Sequence, residues 1–296
     1  MTQLAQAPSA NSGRVAKLPP QSFFMVSAAF HYLGPSFAVL LFAKLDVLGV
    51  AWLRIASAAV IFAAWRRPWR LLPRLDPSQR WMLLALGVVL AAMNSVFYLA
   101  VDRLPLSTVG AIEFLGTVLL AIIGTRTRRN VLALALTTGG VAMITAIRLG
   151  GHPLGFVFAF GNCVLFMLYI VLGHRMASTG EGIDRLAAAM LIAAVAATPI
   201  GLAGARPAFR HPVLLAAGAG VGVCSSVIPY VADQLAMARL PRATFALMLA
   251  LLPVFATIIG AVVLRQFPTA QDIAGIACVA AGVAVHKDTA IHNEGT

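Results

Sequence analysis

Charged residues are scarce in this chain of 296 residues. They make up 11% of the sequence, whereas 60% of the residues are apolar. A soluble domain carries about 25% charged and about 45–50% apolar residues. A water-soluble fold of this length needs more charge to cover its surface, so the composition excludes an ordinary soluble protein. The apolar excess indicates a chain that is surrounded by lipid.

Cysteine is also rare, and the sequence lacks the common catalytic motifs. Cys163, Cys224 and Cys278 each lie inside an apolar run without CxxC spacing, which supports neither a disulfide framework nor a zinc site. There is no GxxxxGK[ST] run for ATP, and no HExxH or GxSxG motif. An integral membrane enzyme therefore has no support here. We expect no enzymatic activity, no metal and no cofactor.

Acidic residues are outnumbered, which gives a formal net charge of +12. The Arg and Lys residues occur singly or in short clusters between apolar runs, as at Arg66 and Arg67 or at Arg128 and Arg129, and they form no continuous basic helix face. This placement is typical of charged loops rather than of a nucleic-acid surface. We expect the lipid bilayer, and no nucleic acid, as a partner.

The long apolar runs predict the fold class. Windows of about 18 to 22 apolar residues are long enough to cross about 30 Å of hydrocarbon. Residues 1–20 are predicted to be a disordered cytoplasmic tail, and 288–296 a second cytoplasmic tail. The chain is predicted to be an all-α membrane protein with ten transmembrane helices at residues 22–43, 47–65, 81–101, 105–124, 130–147, 153–173, 185–204, 212–237, 241–264 and 269–286.

The basic residues also predict the orientation of these helices. With the amino terminus inside, the inner segments hold 15 Lys and Arg residues and the outer segments hold 6, while Arg54 lies within a span. Basic residues near helix ends are retained on the cytoplasmic side. Both termini are therefore predicted to be cytoplasmic.

An internal repeat relates the two halves of the chain. A shift of 136 residues places Leu99–Gly124 on Leu235–Gly260, with 11 identities in 26 positions that include an Arg, a Pro and a Thr. The spans therefore divide into two five-helix repeats, residues 21–148 and 149–287. Because five is odd, the two copies cross the membrane in opposite directions, which is an architecture of transporters.

Three stretches carry a family resemblance. MNSVFYLAVDRLPLSTVGAIEFLG at Met93–Gly116, the loop Trp69–Pro73 and the second-half stretch VIPYVADQLAMARLPRATFALMLALLPVFATIIG resemble the EamA-type exporters of the drug/metabolite transporter superfamily. Within that superfamily they resemble the bacterial threonine/homoserine and aromatic amino acid exporters. The resemblance implies a ten-helix protein of the bacterial inner membrane that exports amino acids or similar metabolites. That branch tends to have Glu before the proline that is Pro253 here, whereas this chain has Leu252.

Polar groups at mid-membrane depth are costly and usually functional. Glu113 is predicted to bind a substrate ammonium group or a proton, or else to form a static ion pair with Arg54. Arg54 is correspondingly predicted to bind a substrate carboxylate or to pair with Glu113. His31 either titrates during transport or is only hydrogen-bonded. Asn162 lies at the same depth in the sixth span.

Two polar pairs are related by the repeat. Asn94 and Tyr98 lie four residues apart on one helix face, and the shift places them on Tyr230 and Gln234. Facing polar stripes either line a cavity or only bond two helices together. Asp233 lies nearer the cytoplasmic end and is predicted to be a gate or a solvated residue. The predicted cavity residues are His31, Arg54, Asn94, Tyr98, Glu113, Asn162, Tyr230 and Gln234.

These patterns predict a monomeric secondary exporter of amino acids that works by alternating access. The alternative is an exporter of cationic or lipophilic compounds. A site that presents both Arg54 and Glu113 favours a zwitterion, whereas an unpaired Glu113 with aromatic walls favours a cation.

Overall fold

The computed structural model describes residues 19–123, 127–146, 152–177, 181–240, 245, 249 and 252–285. The predicted tails at residues 1–20 and 288–296 lie outside the described residues, apart from Pro19, which precedes the first helix, and Pro20, which begins it. Every regular element within these ranges is helical.

The described residues form eleven α-helices. Short 3₁₀ turns, Pro68–Arg70, Leu72–Arg74 and Arg206–Arg210, connect neighbouring helices, and a π-helical turn, Val223–Val227, joins α8 to α9. The helices are α1 Pro20–Leu41, α2 Val47–Arg66, α3 Pro77–Val101, α4 Leu106–Ile123, α5 Arg128–Ala146, α6 Pro153–Ala177, α7 Gly182–Ala205, α8 Pro212–Gly222, α9 Ile228–Met237, α10 Leu252–Leu264 and α11 Ala270–Val285.

Six helical stretches are long and apolar enough to cross a membrane. They are Pro20–Leu41, Val47–Arg66, Pro77–Val101, Pro153–Ala177, Gly182–Arg210 and Pro212–Met237. Four shorter apolar helices, Leu106–Gly116, Val131–Gly140, Leu252–Leu264 and Ala270–Gly282, lie where the other four spans are predicted. The predicted span 241–264 is described mainly from Leu252 onward.

The start of α3 shows why the predicted start at residue 81 is too late. Asp76 Oδ1 accepts a hydrogen bond from the Gln79 backbone N–H at 2.8 Å, while Gln79 Oε1 accepts one from the Asp76 N–H at 3.3 Å. This capping box, with Pro77 at the first helical position, begins the helix within a polar turn. The backbone N–H of Gln79 and the hydroxyl of Ser78 hold the pKa of Asp76 below its ordinary value.

The helices pair across the two predicted halves. α2 packs on α7, α4 on α10, and α5 on α11, while α1 packs on α9 and α3 on α6. These contacts bring six helices, α1, α2, α3, α4, α6 and α9, around the centre of the bundle.

The π-helical turn presents a backbone carbonyl to a side chain of another helix. Pro229 has no N–H, so it cannot donate the α-helical hydrogen bond to the carbonyl of Ser225 four residues earlier. Arg54 Nη2 donates to that carbonyl at 2.6 Å instead. Proline and the π-turn therefore couple the second half of the chain to a charged side chain of the first.

Gly34 allows α1 to lie directly against this turn. A Cβ at Gly34 would lie 2.7 Å from both the N and the Cα of Ser225, which are backbone atoms that no rotamer change can move. We predict that Gly34→Ala lowers the free energy of unfolding by about 1–3 kcal/mol, as overpacking does. Thermal unfolding in detergent measures this change.

Gly220→Ala is the matched control for Gly34→Ala. A Cβ at this helical position meets nothing within 4 Å. Alanine favours a helix over glycine by about 0.5–1 kcal/mol, so this variant is expected to unfold at the wild-type temperature or slightly above it. Equal effects of the two substitutions would contradict the close approach of α1 to the π-turn.

Candidate functional site

A small cavity lies where the six central helices meet. Its volume is about 10 Å³, which is the room that about one water molecule needs. The space is therefore too small for an amino acid, and the side chains that line it are buried. It is lined by His31, Arg54, Met93, Asn94, Phe97, Glu113, Asn162 and Tyr230.

Glu113 of α4 is held in this cavity by neutral hydrogen-bond donors. Its side chain is 2% exposed. Tyr32 Oη donates to Oε2 at 2.9 Å, and Asn162 Nδ2 donates to Oε1 at 2.9 Å. His31 Nε2 lies 3.5 Å from Oε2. The Glu113 carboxylate thus accepts hydrogen bonds from two neutral side chains and also lies near the imidazole of His31.

Arg54 of α2 lies on the cavity wall and is fixed by the π-helical turn. Nε donates to Ser226 Oγ at 2.9 Å, in addition to the bond from Nη2 to the Ser225 carbonyl. The guanidinium carbon lies 5.3 Å from the centre of the Tyr98 ring. Both bonds tie the cation to the second half of the chain.

Of the two roles that the sequence left open for Arg54 and Glu113, the static ion pair between them is not formed. Within the part of the chain that the structure describes, no oxygen of Glu113 lies within 4.0 Å of a nitrogen of Arg54. The guanidinium donates to acceptors of the π-helical turn, and the carboxylate accepts from Tyr32 and Asn162. Two buried opposite charges thus line one cavity without forming a pair.

Asn94 and Tyr230 meet across the repeat. Tyr230 Oη donates to Asn94 Oδ1 at 3.1 Å, and Asn94 Nδ2 donates to the Leu90 carbonyl at 2.7 Å. Tyr98 and Gln234, which were also predicted to line the cavity, are not among its lining residues. Tyr98 is buried beneath Arg54, and the buried Gln234 lies against Gly173 and Gly182.

Asp233 of α9 is not solvated, contrary to one of the two predicted roles. It is 3% exposed. The Ser27 hydroxyl donates to Oδ1, and Tyr169 Oη donates to Oδ2 at 2.9 Å. The sequence contained a signal for this placement, because Asp233 lies three residues after Tyr230 and so occupies the same helix face.

Two features of the cavity were not predicted. Met93 forms an apolar part of its wall together with Phe97. Asn162 Oδ1 is buried and has no hydrogen-bond partner among the described residues. Because Nδ2 of the same amide is bound to Glu113, this oxygen is an acceptor available to a ligand. In the same ranges no group of three His, Cys, Asp or Glu side chains is placed to hold a metal.

Curated relatives are similar over nearly the whole chain. The threonine/homoserine exporter RhtA of Salmonella typhimurium (strain LT2) is 30% identical over 278 residues, which cover 91% of this chain and 92% of the relative. RhtA of Escherichia coli (strain K12) is 30% identical over 275 residues, with the same coverage. Relatives with these names are exporters, not enzymes.

A solved structure supports the fold. One crystal structure superimposes with a TM-score of 0.63 at 18% identity, and the match covers 90% of this chain and 96% of that chain. The EamA-like transporter family matches residues 153–286. Together with relatives that are 30% identical over nearly their full length, this match shows that the chain is a multi-pass membrane transporter and belongs to the EamA-like transporter family.

Proposed function

We propose that the protein exports small zwitterionic amino acids of the threonine and homoserine type across the bacterial inner membrane by alternating access. One observation carries the proposal: the buried side chains of Glu113 and Arg54 line the same cavity, and each accepts or donates hydrogen bonds with neutral groups rather than with the other. An α-amino acid carries one positive and one negative group and so complements both.

The hydrogen bonds of the two charged residues leave capacity for a ligand. Glu113 and the unpartnered Asn162 Oδ1 together offer acceptors to an ammonium group. The bonds described for Arg54 use two of its five N–H donors, so others remain for a carboxylate. A buried charge in a membrane is costly and is retained where it has a functional partner. The substrate supplies that partner for each residue.

The apolar wall and the relatives indicate a small side chain. Met93 and Phe97 close one part of the cavity. The relatives that are 30% identical are named threonine/homoserine exporters. We therefore place threonine and homoserine first among the substrates. An exporter of cationic drugs is the weaker alternative, because Arg54 on the cavity wall would repel a cation.

The helix contacts support a ten-helix architecture of two inverted halves, residues 21–148 and 149–287. The contacts of α2 with α7, α4 with α10, and α5 with α11 each join corresponding helices of the two halves. The family match at residues 153–286 spans nearly the same range as the second half. The hydrogen bond between Asn94 and Tyr230 joins two residues that are 136 positions apart, the period of the repeat.

Two Arg–Phe contacts support alternating access. Arg103, after α3, lies 5.2 Å from the ring centre of Phe158, and Arg239, after α9, lies 4.9 Å from that of Phe23. The 136-residue shift places Arg103 on Arg239. In a ten-helix chain with both termini cytoplasmic, the first contact closes the periplasmic end of the bundle and the second closes the cytoplasmic end. Both contacts are formed in this structure, in agreement with the burial of the side chains that line the cavity.

We predict that removing one contact opens the corresponding end. A cysteine at Phe97, in a chain without the three native cysteines, reports access to the cavity. Arg103→Gln is expected to increase its labelling by an impermeant thiol reagent on intact cells, and Arg239→Gln to decrease it. A cation–π contact contributes about 0.5–2 kcal/mol, which corresponds to a change of about two- to thirty-fold.

Arg206→Gln is the control for these two variants, because Arg206 is an exposed arginine on a different connection. It should leave labelling at the wild-type rate. Equal labelling of all three variants would show that the Arg–Phe contacts do not gate the cavity.

One chain supplies the whole cavity. Its lining side chains come from α1, α2, α3, α4, α6 and α9. A second copy is not needed to complete the site, which supports a functional monomer.

Counterflow in proteoliposomes tests the proposed function. Purified protein is reconstituted with unlabelled threonine inside, and uptake of labelled threonine is measured against methionine, lysine, glutamate, phenylalanine and a quaternary ammonium dye. We expect counterflow of threonine, with homoserine as an effective competitor. Absence of threonine counterflow together with transport of the dye would favour the cationic alternative.

A further inference from the structure

We propose that Asp233 and His31 form a proton-binding site, and that one proton enters the cell for each amino acid exported. The inference rests on the proposed function and adds the driving force for transport. It is carried by a second buried carboxylate that the substrate site does not use.

Asp233 is a carboxylate held inside the bundle by neutral groups only. Ser27 donates to one of its oxygens and Tyr169 to the other, and neither donor carries a positive charge. Its 3% exposure leaves almost no contact with solvent. A carboxylate in this environment is stable either with a proton or beside a cation.

His31 connects Asp233 to the substrate cavity. Ser27 and His31 lie one turn apart on α1 and so share a helix face. The imidazole lines the cavity, with Nε2 3.5 Å from Glu113 Oε2, while Ser27 donates a hydrogen bond to Asp233. One face of α1 thus contacts two buried carboxylates from different halves of the chain, Glu113 through His31 and Asp233 through Ser27.

The helices around Asp233 carry further titratable groups. α9 packs against α1, α6, α7 and the π-helical turn. Among the groups on these elements, Tyr169 faces Asp233 directly, and Arg185 Nη2 lies 3.7 Å from Glu181 at the start of α7. The remaining titratable groups on these elements and on α9 are Tyr32, Cys163, His174, Arg175, Asp184, Cys224 and Tyr230.

The charges of the central cluster require one proton. Glu113 and Asp233 supply two negative charges, and Arg54 supplies one positive charge that does not titrate. With a neutral His31 the cluster has one net negative charge, and one bound proton makes it neutral. Neutrality is favoured in a buried site, so the substrate-free cluster holds one proton.

Substrate and proton then compete for the cluster. The ammonium group of an amino acid binds Glu113 and repels a protonated His31, so loading from the cytoplasm releases the proton there. On the periplasmic side a proton binds again and displaces the amino acid. No bond of the amino acid is made or broken, and each cycle moves one proton inward and one zwitterion outward.

Proteoliposomes with an acidic interior test the coupling. The membrane potential is clamped at zero with potassium and valinomycin, and labelled threonine is supplied outside. The wild-type protein is expected to accumulate threonine up to about tenfold for each pH unit of the gradient, since a tenfold ratio corresponds to about 1.4 kcal/mol. Asp233→Asn is expected to lose this accumulation but to retain threonine counterflow, which needs no proton cycle.

Asp272→Asn is the matched control. Asp272 is also buried, but it accepts hydrogen bonds from the Thr269 N–H and hydroxyl at the start of α11, away from the cavity. This variant should retain both accumulation and counterflow.

The outcomes distinguish proton coupling from the proposed export of amino acids. Wild-type counterflow without gradient-driven accumulation overturns proton coupling and leaves the proposed function standing, whereas loss of both overturns the proposed function. Accumulation by Asp233→Asn overturns the assignment of the proton to Asp233.

A direct measurement covers the case in which Asp233→Asn does not fold. Threonine is added to the solubilised wild-type protein in weakly buffered solution with a pH indicator. Release of about one proton for each threonine bound is expected from the charge count, and no release overturns the inference.

Discussion

Replacing Glu113 by Gln is expected to reduce threonine counterflow by about 10- to 150-fold while the protein remains folded. The substitution keeps the side-chain volume but removes the negative charge that binds the ammonium group, and a hydrogen bond to a charged group contributes about 1.5–3 kcal/mol. Counterflow in proteoliposomes and thermal unfolding in detergent measure the two effects. Glu181→Gln, at a side chain that is 47% exposed, is the matched control and should transport normally.

A double variant distinguishes recognition from a static ion pair. If Glu113 only paired with Arg54, the single substitution would leave a buried cation, at a cost of about 3–5 kcal/mol, and neutralising both residues would restore stability and transport. In the structure the two side chains have different partners. We therefore expect the double variant Arg54→Gln and Glu113→Gln to transport no better than either single variant. Recovery of transport would exclude both charges from recognition.

Arg54→Gln is expected to abolish threonine transport and also to lower stability. The Ser225 carbonyl and the Ser226 hydroxyl lose their charged donor, and an unsatisfied buried polar group costs about 1–3 kcal/mol. Arg54→Lys should recover only part of both losses, because an ammonium group keeps the charge but lacks the planar fork of donors. Thermal unfolding and counterflow are compared for the two variants.

Arg66→Gln is the matched control for Arg54. Arg66 lies on the same helix and forms an ion pair with Asp184 at 2.6 Å, but this pair is about one-third exposed. Exposed pairs contribute about 0–1 kcal/mol, so a small loss of stability and normal transport are expected. Normal transport by Arg54→Gln would contradict the assignment of Arg54 to the substrate carboxylate.

Much of the fold could be predicted because membrane spans are defined by length and hydropathy. Among the described residues, the apolar runs located the helix ends to within a few residues, except where the capping box at Asp76 begins α3 inside a polar turn. Most of residues 241–251 of the ninth predicted span lie outside the described residues. The repeat allowed a prediction about tertiary contacts as well. It related Asn94 to Tyr230, and these two residues are hydrogen-bonded at 3.1 Å.

The partners of the charged side chains could not be predicted from depth alone. Opposite charges at the same depth suggested that Arg54 pairs with Glu113, but the π-helical turn before Pro229 offers Arg54 a backbone carbonyl. Asp233 was placed near a helix end by residue count. Its burial depends on α1 and α6, which bring Ser27 and Tyr169 to it from distant parts of the sequence.

Competition between labelled threonine and two analogues tests most directly whether the cavity recognises both charges of a zwitterion. Threoninol lacks the carboxylate, and N-acetylthreonine lacks the ammonium group. With the wild-type protein in counterflow, homoserine should compete about as well as threonine, and each analogue should compete at least about tenfold more weakly, since each loses one charged hydrogen bond. Competition by either analogue as strong as that of threonine itself would contradict recognition of the substrate between Glu113 and Arg54.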